Sequence, residues 1–156
     1  MFAQIKKIYH SKWFPRFFYK KPDGGKNSGV TAYFLLEWKI LFSVGLLHFN
    51  PGTREAFHSH AFNAITWWLK GSVTELYPNG LPWGKLFQAS FKPKITPRTC
   101  VHKIMAHEST WALTFRGPWK DTWQEIRPEG LVTLTHGRVQ VMNIEDLENP
   151  FKSSYL

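Results

Sequence analysis

Short apolar clusters separated by turn signals constrain the fold of this chain more than any other feature. From residue 30 onward, clusters of about five to nine residues alternate with glycine- and proline-containing turns such as Asn50-Pro51-Gly52 and Pro128-Glu129-Gly130. Short strands in regular succession are typical of a β-sandwich or a β-barrel. No long stretch repeats with the period of a helix. The sequence therefore predicts a nearly all-β body over residues 30–156.

Length and composition predict one cytoplasmic domain. The 156 residues suffice for one compact core. The longest uncharged apolar run, residues 40–47, has the length of a strand rather than of a membrane span. The N-terminus lacks the apolar segment and cleavage site of a secretory signal, and the single cysteine, Cys100, permits no internal disulfide. We therefore expect no transmembrane segment and a reducing, cytoplasmic location.

The positive charge is concentrated at the N-terminus. Of the formal net charge of +9, residues 1–26 contribute +6, from seven lysines and arginines against Asp23 alone. Aromatic residues alternate with these cations, and the glycine-rich loop 23–29 follows them. We therefore divide the chain into a basic aromatic N-terminal arm with its loop, residues 1–29, and a body, residues 30–156.

Three interpretations suit this arm. Its cations can contact phosphates while its aromatic rings stack on bases, which favours a nucleotide or single-stranded nucleic acid. The same composition suits an anionic membrane surface. In the third interpretation, the rings lie across an open end of the barrel or in the contact of a homodimer, and the lysines are solvated.

Two histidines one residue apart indicate a metal site in the body. In a strand, His58 and His60 point to the same face, with Cα atoms roughly 6.5 to 7 Å apart. Two ring nitrogens at that spacing can reach one ion at bond lengths of about 2.0 to 2.2 Å. On a helix, residues two apart do not share a face. A metal site therefore requires that this segment be extended.

The residues around this pair carry a family resemblance. Five residues separate Gly52 from the pair His58 and His60. Three further residues lead to Ala64, and six more lead to Gly71. This spacing resembles the first metal motif of the cupin superfamily, in which a glutamate stands where this chain has Ala64.

A second segment resembles the second cupin motif. Pro97 and His102 match its proline and its histidine, whereas Thr99 and Ala106 stand in place of its glycine and asparagine. The resemblance covers residues 52–117, and segments 69–75 and 110–118 are similar to uncharacterised cupin-like proteins of bacteria and their phages. It implies a cupin-type double-stranded β-helix, a jelly-roll barrel, located in the host cytoplasm if a phage encodes it.

The resemblance also implies a ligand set. His58, His60 and His102 would bind a divalent metal, and because Ala64 replaces the glutamate, all three ligands are neutral. This set is similar to that of thiol dioxygenases, which implies Fe(II), although zinc, manganese or nickel also suit imidazole ligands. A site that keeps the full charge of the ion favours a small anionic substrate. The sequence thus predicts a metal-dependent, dioxygenase-like cupin.

Further residues complete this hypothesis. Glu75 is the candidate acid-base group. Arg98 and Arg116 are candidate anchors for an anionic substrate, because guanidinium binds carboxylate or phosphate through two hydrogen bonds, although solvated strand ends explain them equally well. Trp68 and Phe62 share the strand parity of the histidines and are predicted to line the cavity.

A non-catalytic protein is the alternative. In that interpretation the histidines are hydrogen-bonded core residues that bind no metal, and the chain is a cupin-fold binding module for a nucleotide, a nucleic acid or a protein. Cys100 has the strand parity of His102 and is expected near the same cavity or as a small buried residue. His107 falls on the opposite strand face and is expected to be exposed.

Overall fold

The computed structural model describes residues 14–25, 27–53, 56–80 and 84–141. These residues form an antiparallel β-structure, and its largest sheet has six strands in the order β1-β2-β3-β11-β6-β9. The strands of this sheet are β1 (Arg16–Pro22), β2 (Val30–Trp38), β3 (Phe42–Phe49), β6 (Ala64–Lys70), β9 (Lys94–Thr96) and β11 (Thr110–Arg116).

Two four-stranded sheets complete the structure, in the orders β4-β10-β7-β8 and β14-β13-β12-β5. The first contains β4 (Gly52–Thr53), β7 (Ser72–Leu76), β8 (Lys85–Gln88) and β10 (Lys103–Ala106). The second contains β5 (Phe57–His58), β12 (Thr122–Arg127), β13 (Gly130–Thr135) and β14 (Val139–Val141). The helical structure among the described residues is limited to one 3₁₀ turn, His136–Arg138, so the all-β prediction is confirmed.

The hydrophobic core lies between the six-stranded sheet and the first four-stranded sheet. Alternate residues of the long strands are buried, as expected for strands with one face on a core. The core cluster contains Val30, Ala32, Phe34, Leu47, Phe49, Trp68, Val73, Ile104, Ala106 and Ala112. The site described below occupies the interior beside this apolar cluster.

Part of the predicted N-terminal arm belongs to the barrel. Residues 16–22 form β1, which pairs with β2 along its length at the edge of the six-stranded sheet. Tyr19 stacks on Phe34, and Lys21 donates a 2.8 Å hydrogen bond to the buried Glu37 carboxylate. The predicted boundary at residue 29 coincides with the start of β2, but the sheet also includes β1 from the arm. Residues 1–13 of the arm lie outside the described residues.

Both glycines of the first motif are required by the backbone. Gly52 and Gly71 have φ angles of 122° and 82°, which side chains with a Cβ rarely adopt. Gly71 forms the turn between β6 and β7, and a Cβ placed there would lie 2.9 Å from the Thr110 Cα atom. The glycine spacing therefore reflects two positions of positive φ on either side of the histidine pair.

No helix among the described residues has the length and hydrophobicity needed to cross a membrane.

Candidate metal centre

A backbone bridge brings His58 and His102 together. The His58 amide donates to the His102 carbonyl at 2.9 Å, and the His102 amide donates back to the His58 carbonyl at 3.0 Å. This reciprocal pair makes the two residues direct neighbours in an antiparallel ladder, so that their side chains lie side by side. His60 follows β5, and its amide donates to the Arg98 carbonyl at 3.1 Å. Three backbone hydrogen bonds therefore position the three histidines.

The three imidazole rings surround a common point. Their centroids are separated by 4.9 Å for His58 and His60, 5.0 Å for His60 and His102, and 5.3 Å for His58 and His102. The Nε2 atoms of His60 and His102 lie 2.8 Å apart. Each histidine offers one ring nitrogen, and these three atoms all lie within 4.8 Å of one another. The predicted convergence of the three rings is therefore present in the structure.

The opposite ring nitrogens of two histidines are fixed by acceptors. His58 Nδ1 lies 3.1 Å from the Ala56 carbonyl oxygen, and His102 Nδ1 contacts a carboxylate oxygen of Glu75. Both acceptors place the imidazole proton on Nδ1, which leaves Nε2 of each ring as the atom with a lone pair that can accept a hydrogen bond or bind a metal. Histidines that bind metals characteristically donate the other ring N–H to a carbonyl or carboxylate. These partners therefore suit a metal site.

Glu75 is buried behind His102 and is held by several donors. Lys94 Nζ lies 2.6 Å from one of its oxygens, and the Tyr77 hydroxyl donates to the other at 2.7 Å. Burial alone would raise the pKa of the Glu75 carboxyl, but the hydrogen bonds from His102 and Lys94 outweigh burial and lower its pKa to about 2. The group is therefore an ionised carboxylate that orients the His102 ring.

The donor set fits a divalent metal. Three imidazole nitrogens in this arrangement suit zinc and several first-row transition ions. A second group, consisting of Glu75, Cys100 and His102, also brings its ligand atoms within 4.8 Å of one another. In that group the Lys94 ammonium already neutralises Glu75, and burial together with the Glu75 charge raises the pKa of the Cys100 thiol. Because thiolate is the form that binds metal, the three-histidine group is the better site.

The histidines line a narrow cavity inside the barrel. Its volume is ≈ 60 Å³, which holds only a few water molecules. Polar walls are formed by the histidines, Thr66, Thr96, Thr114, Lys94, Asp23 and Arg116, and apolar walls by Val30, Leu47, Phe49, Phe62, Ala64, Trp68 and Ile104. A cavity of this size accepts a very small molecule, whereas a nucleotide would not fit without rearrangement.

One side of the cavity carries a buried ion pair. Arg116 is 4% exposed, and its guanidinium binds both carboxylate oxygens of Asp23, at 2.7 and 3.3 Å. On the six-stranded sheet Arg116 lies directly opposite Ala64, the position of the cupin glutamate. The guanidinium also lies 4.7 Å from the centre of the Phe62 ring. The wall that would carry the motif carboxylate thus carries an arginine that already holds an anion.

The structure brings most of the residues predicted from the sequence to this cavity. Trp68, Phe62 and Arg116 line it, and Phe62 stacks on His60 with ring centroids 5.3 Å apart. Glu75 contacts His102 from behind and is absent from the cavity wall. Arg98 is exposed and does not line the cavity, because it lies in the turn after β9, where strand parity does not apply.

The structure also shows where Cys100 and His107 lie. Cys100 lies close to Glu75 and His102 and is not part of the cavity lining. His107 is exposed, as expected, and its Nε2 lies 2.7 Å from the Thr74 hydroxyl. Sequence reasoning did not identify Asp23 or Lys94 as residues of the site. No local signal marks them, since Asp23 precedes its partner Arg116 by 93 positions.

The fold is similar to those of known cupins. An RmlC-like cupin from Shewanella frigidimarina superposes with a TM-score of 0.51 at 13% identity, covering 67% of this chain and 86% of the other. An uncharacterized conserved protein with a double-stranded β-helix domain from Klebsiella pneumoniae gives 0.51 at 19% identity, with 65% and 87% covered. KdgF from Halomonas sp. gives 0.50 at 12% identity, with 68% and 97% covered.

No protein-family model matches this sequence, and no curated protein matches it. The structural similarity nevertheless defines the class of fold: the chain forms a cupin-type double-stranded β-helix. The resemblance that the two sequence motifs carry is therefore confirmed at the level of the fold.

Proposed function

We propose that this chain is a metal-dependent cupin that acts on a small anionic molecule, and that His58, His60 and His102 bind the metal. The convergence of three ring nitrogens within 4.8 Å carries this proposal. The buried partners of two Nδ1 atoms support it, because they give His58 and His102 the tautomer that a metal ligand needs.

In more specific terms, we propose that the metal is Fe(II) and that the chemistry is dioxygenase-like. They are supported by the likeness of the neutral three-histidine set to that of thiol dioxygenases. When bound, such an ion supplies positive charge and open coordination positions for a substrate. Zinc, manganese and nickel suit the same nitrogens, so the metal must be identified by measurement.

The residues around the centre have separate roles in this proposal. Glu75 holds the proton of His102 on Nδ1 and thereby orients the ring. Phe62 and Trp68 form part of the apolar wall of the cavity, and Phe62 stacks on His60. Arg116 is the candidate anchor for the substrate anion. The roles of Glu75 as an acid-base group and of Arg98 as a second anchor remain predictions from the sequence.

Metal content tests the proposal directly. Protein purified without an affinity tag should contain close to one equivalent of a transition metal per chain by elemental analysis. His60→Ala should lose most of that metal, because it removes one of three ligands, whereas His107→Ala removes an exposed histidine outside the cavity and should retain it. Metal-free wild-type protein that also fails to take up iron, zinc, manganese or nickel would contradict the proposal.

A binding module is the second candidate function. It is favoured by Phe14, Phe17 and Phe18, which are 55%, 57% and 81% exposed, close in sequence to the exposed Lys20. Exposed aromatic rings beside cations suit single-stranded nucleic acid. Binding to an oligonucleotide should weaken steeply with salt and be lost when residues 1–13 are deleted and Phe17 and Phe18 are replaced by serine. Unchanged binding in that variant would contradict this function.

A further inference from the structure

The ion pair between Arg116 and Asp23 is unusual in its location. A guanidinium that is 4% exposed lies on the wall of the cavity, opposite Ala64, and is paired with a carboxylate from the loop after β1. Breaking such a pair is costly because the remaining charge is left buried. Arg116 is therefore expected to keep an anionic partner, which is Asp23 in the structure.

Asp23 is the partner that can leave. Its side chain is 22% exposed, so that rotation about its own side-chain bonds can carry the carboxylate towards solvent. Its backbone is fixed independently, because its amide donates to the Val30 carbonyl at 2.8 Å. Gly24 and Gly25 follow with φ angles of 114° and 113°, which no other residue type adopts readily. The carboxylate can therefore withdraw while the strand pairing of β1 and β2 stays intact.

Arg116 also retains an unused donor. Its Nε atom is buried and has no hydrogen-bond acceptor among the described residues, and the same is true of Trp68 Nε1 on the cavity wall. Buried donors without acceptors are costly and are expected to be satisfied by water or by a ligand. Asp23 thus satisfies only part of the hydrogen-bonding capacity of this side of the cavity.

We propose that Asp23 is an intramolecular occupant of an anion site on Arg116, and that a small carboxylate ligand displaces it. The ligand is a carboxylate because the group that Arg116 binds in the structure is a planar carboxylate held by two hydrogen bonds. Asp23 competes with that ligand and lowers its apparent affinity by the fraction of time that Asp23 occupies the site. This inference rests on the proposed function only in taking the cavity as a ligand site.

The test uses metal-free full-length protein, so that its outcome does not depend on whether the histidines bind metal. Propionate and inorganic phosphate are titrated separately and followed by NMR. Asp23→Asn should bind propionate at least about tenfold more tightly than the wild type, because the competing charge is removed. Asp23→Asn combined with Arg116→Gln should lose this binding. Glu129→Gln, which removes an exposed carboxylate, should match the wild type.

Three outcomes would overturn the inference. They are equal propionate affinity in Asp23→Asn and wild type, tighter binding of phosphate than of propionate, and binding that survives the loss of Arg116. The wild type provides a test that needs no folded variant: saturation with propionate should shift the amide signals of Asp23, Gly24 and Gly25. Unchanged signals at saturation would also overturn it.

An independent observation concerns the outer face of the six-stranded sheet. Large apolar side chains occupy its outward positions on five neighbouring strands, and seven of them are 38–70% exposed: Tyr33, Leu35, Phe42, Ile65, Leu69, Ile95 and Phe115. Val44, Leu46, Trp67, Trp111 and Leu113 lie between them and are partly buried. The basic side chains nearest to these positions are His48, which stacks on Trp111 with ring centroids 4.5 Å apart, and the exposed Lys70, opposite Trp111 on β6.

The size and character of this face indicate its partner. Aromatic side chains present roughly 150–250 Å² each and the leucines and isoleucines less, so seven side chains at these exposures leave several hundred Å² uncovered. A standard interface buries about 800 Å² per partner, whereas soluble monomers rarely expose a patch beyond a few hundred Å². An apolar face can pack against the same face of a second copy under two-fold symmetry, because both copies present the same surface. We infer that this outer face binds the same face of a second copy of the chain.

Two leucines of equal exposure make a matched test. Leu69 lies on the outer face and is 51% exposed, whereas Leu131 lies on β13 of another sheet and is 52% exposed. Sedimentation over a dilution series should show a dimer for the wild type and for Leu131→Lys. Leu69→Lys should raise the dimer dissociation constant at least about tenfold, because each subunit would bury an unpaired charge.

A wild type that stays monomeric at every concentration would overturn this inference, as would equal dissociation by the two lysine variants. Sedimentation of monomeric wild type with neutral phospholipid vesicles would assign the face to a membrane surface and would likewise overturn it. Circular dichroism of both variants confirms that each is folded, so a failure of dimerisation can be attributed to the face.

Discussion

On β11, Arg116 and Thr114 point into the barrel, whereas Phe115 and Leu113 point away from it. The same contrast holds across the six-stranded sheet: polar and charged groups line the cavity at one end of the inner face, and apolar side chains cover the outer face. In most two-layer proteins the polar groups face water and the apolar groups face the core. Strand alternation here therefore separates a small polar cavity inside from an extended apolar surface outside.

Changing one member of the ion pair on the inner face should lower the stability of the fold, because the Arg116 guanidinium is buried together with its partner Asp23. Asp23→Asn leaves the Arg116 guanidinium, which is 4% exposed, without its charged partner at the cavity wall, and we expect the free energy of unfolding to fall by about 3–5 kcal/mol. Chemical denaturation of the metal-free protein measures this loss. Arg116→Met combined with Asp23→Asn removes both charges and should recover a large part of it. A double variant as unstable as the single one would show that the loss does not come from the unpaired charge.

The second prediction concerns the support of the metal ligands. Glu75→Gln keeps a hydrogen-bond acceptor for His102 Nδ1 but removes the negative charge, and we expect the metal affinity to fall about 10- to 100-fold. Competition with a chelator measures the affinity. Glu108→Gln provides the control, since Glu108 is exposed on the surface and accepts a hydrogen bond from Ser72. Equal affinities in the two variants would remove Glu75 from the site.

The smallest expected effect is on the pH dependence of stability. It comes from Glu37, a buried carboxylate on β2 of the six-stranded sheet. Burial alone would raise the pKa of Glu37, but the charge and hydrogen bond of Lys21 and the Tyr19 hydroxyl outweigh burial and hold its pKa below the ordinary value. The stabilisation is therefore present above the pKa of the unfolded chain, about 4.3. It is lost as the pH falls through the lower pKa of the folded state.

Glu37→Gln should remove this contribution. The free energies of unfolding of the wild type and of Glu37→Gln should differ more at neutral pH than at acid pH, as measured by urea denaturation between these limits. Glu129→Gln serves as the reference for the loss of an exposed carboxylate. A difference between wild type and Glu37→Gln that stays constant with pH would contradict the assignment.

The fold and the convergence of the three histidine rings could be predicted because both depend on short motifs with fixed spacing. Gly52, at the start of β4, and Gly71, in the turn between β6 and β7, have positive φ angles, so the motif glycines mark backbone positions on either side of the histidine pair. His102 follows from the second motif, and the structure pairs it directly with His58. Trp68 was placed correctly because β6 is regular up to that residue, and strand alternation applies along it.

The remaining parts of the site could not be predicted, because they depend on contacts between distant segments. The sequence does not distinguish Arg98 from Arg116 as an anchor for an anion. In the structure Arg116 is the last residue of a strand and points inward, whereas Arg98 lies in a turn. Asp23 belongs to the segment that was assigned to a separate arm, and its role depends on the pairing of β1 with β2. Neither fact is encoded in a local spacing.

The reciprocal amide bonds between His58 and His102 join two segments that are 44 positions apart, and the residues that they join are also the ones that would share the ion. Opening that bridge would separate two ligands, so a bound ion must resist the opening. Hydrogen–deuterium exchange at these two amides should therefore slow on metal loading more than elsewhere in the barrel. The protection of two backbone protons would then report occupancy of the centre without any knowledge of its substrate.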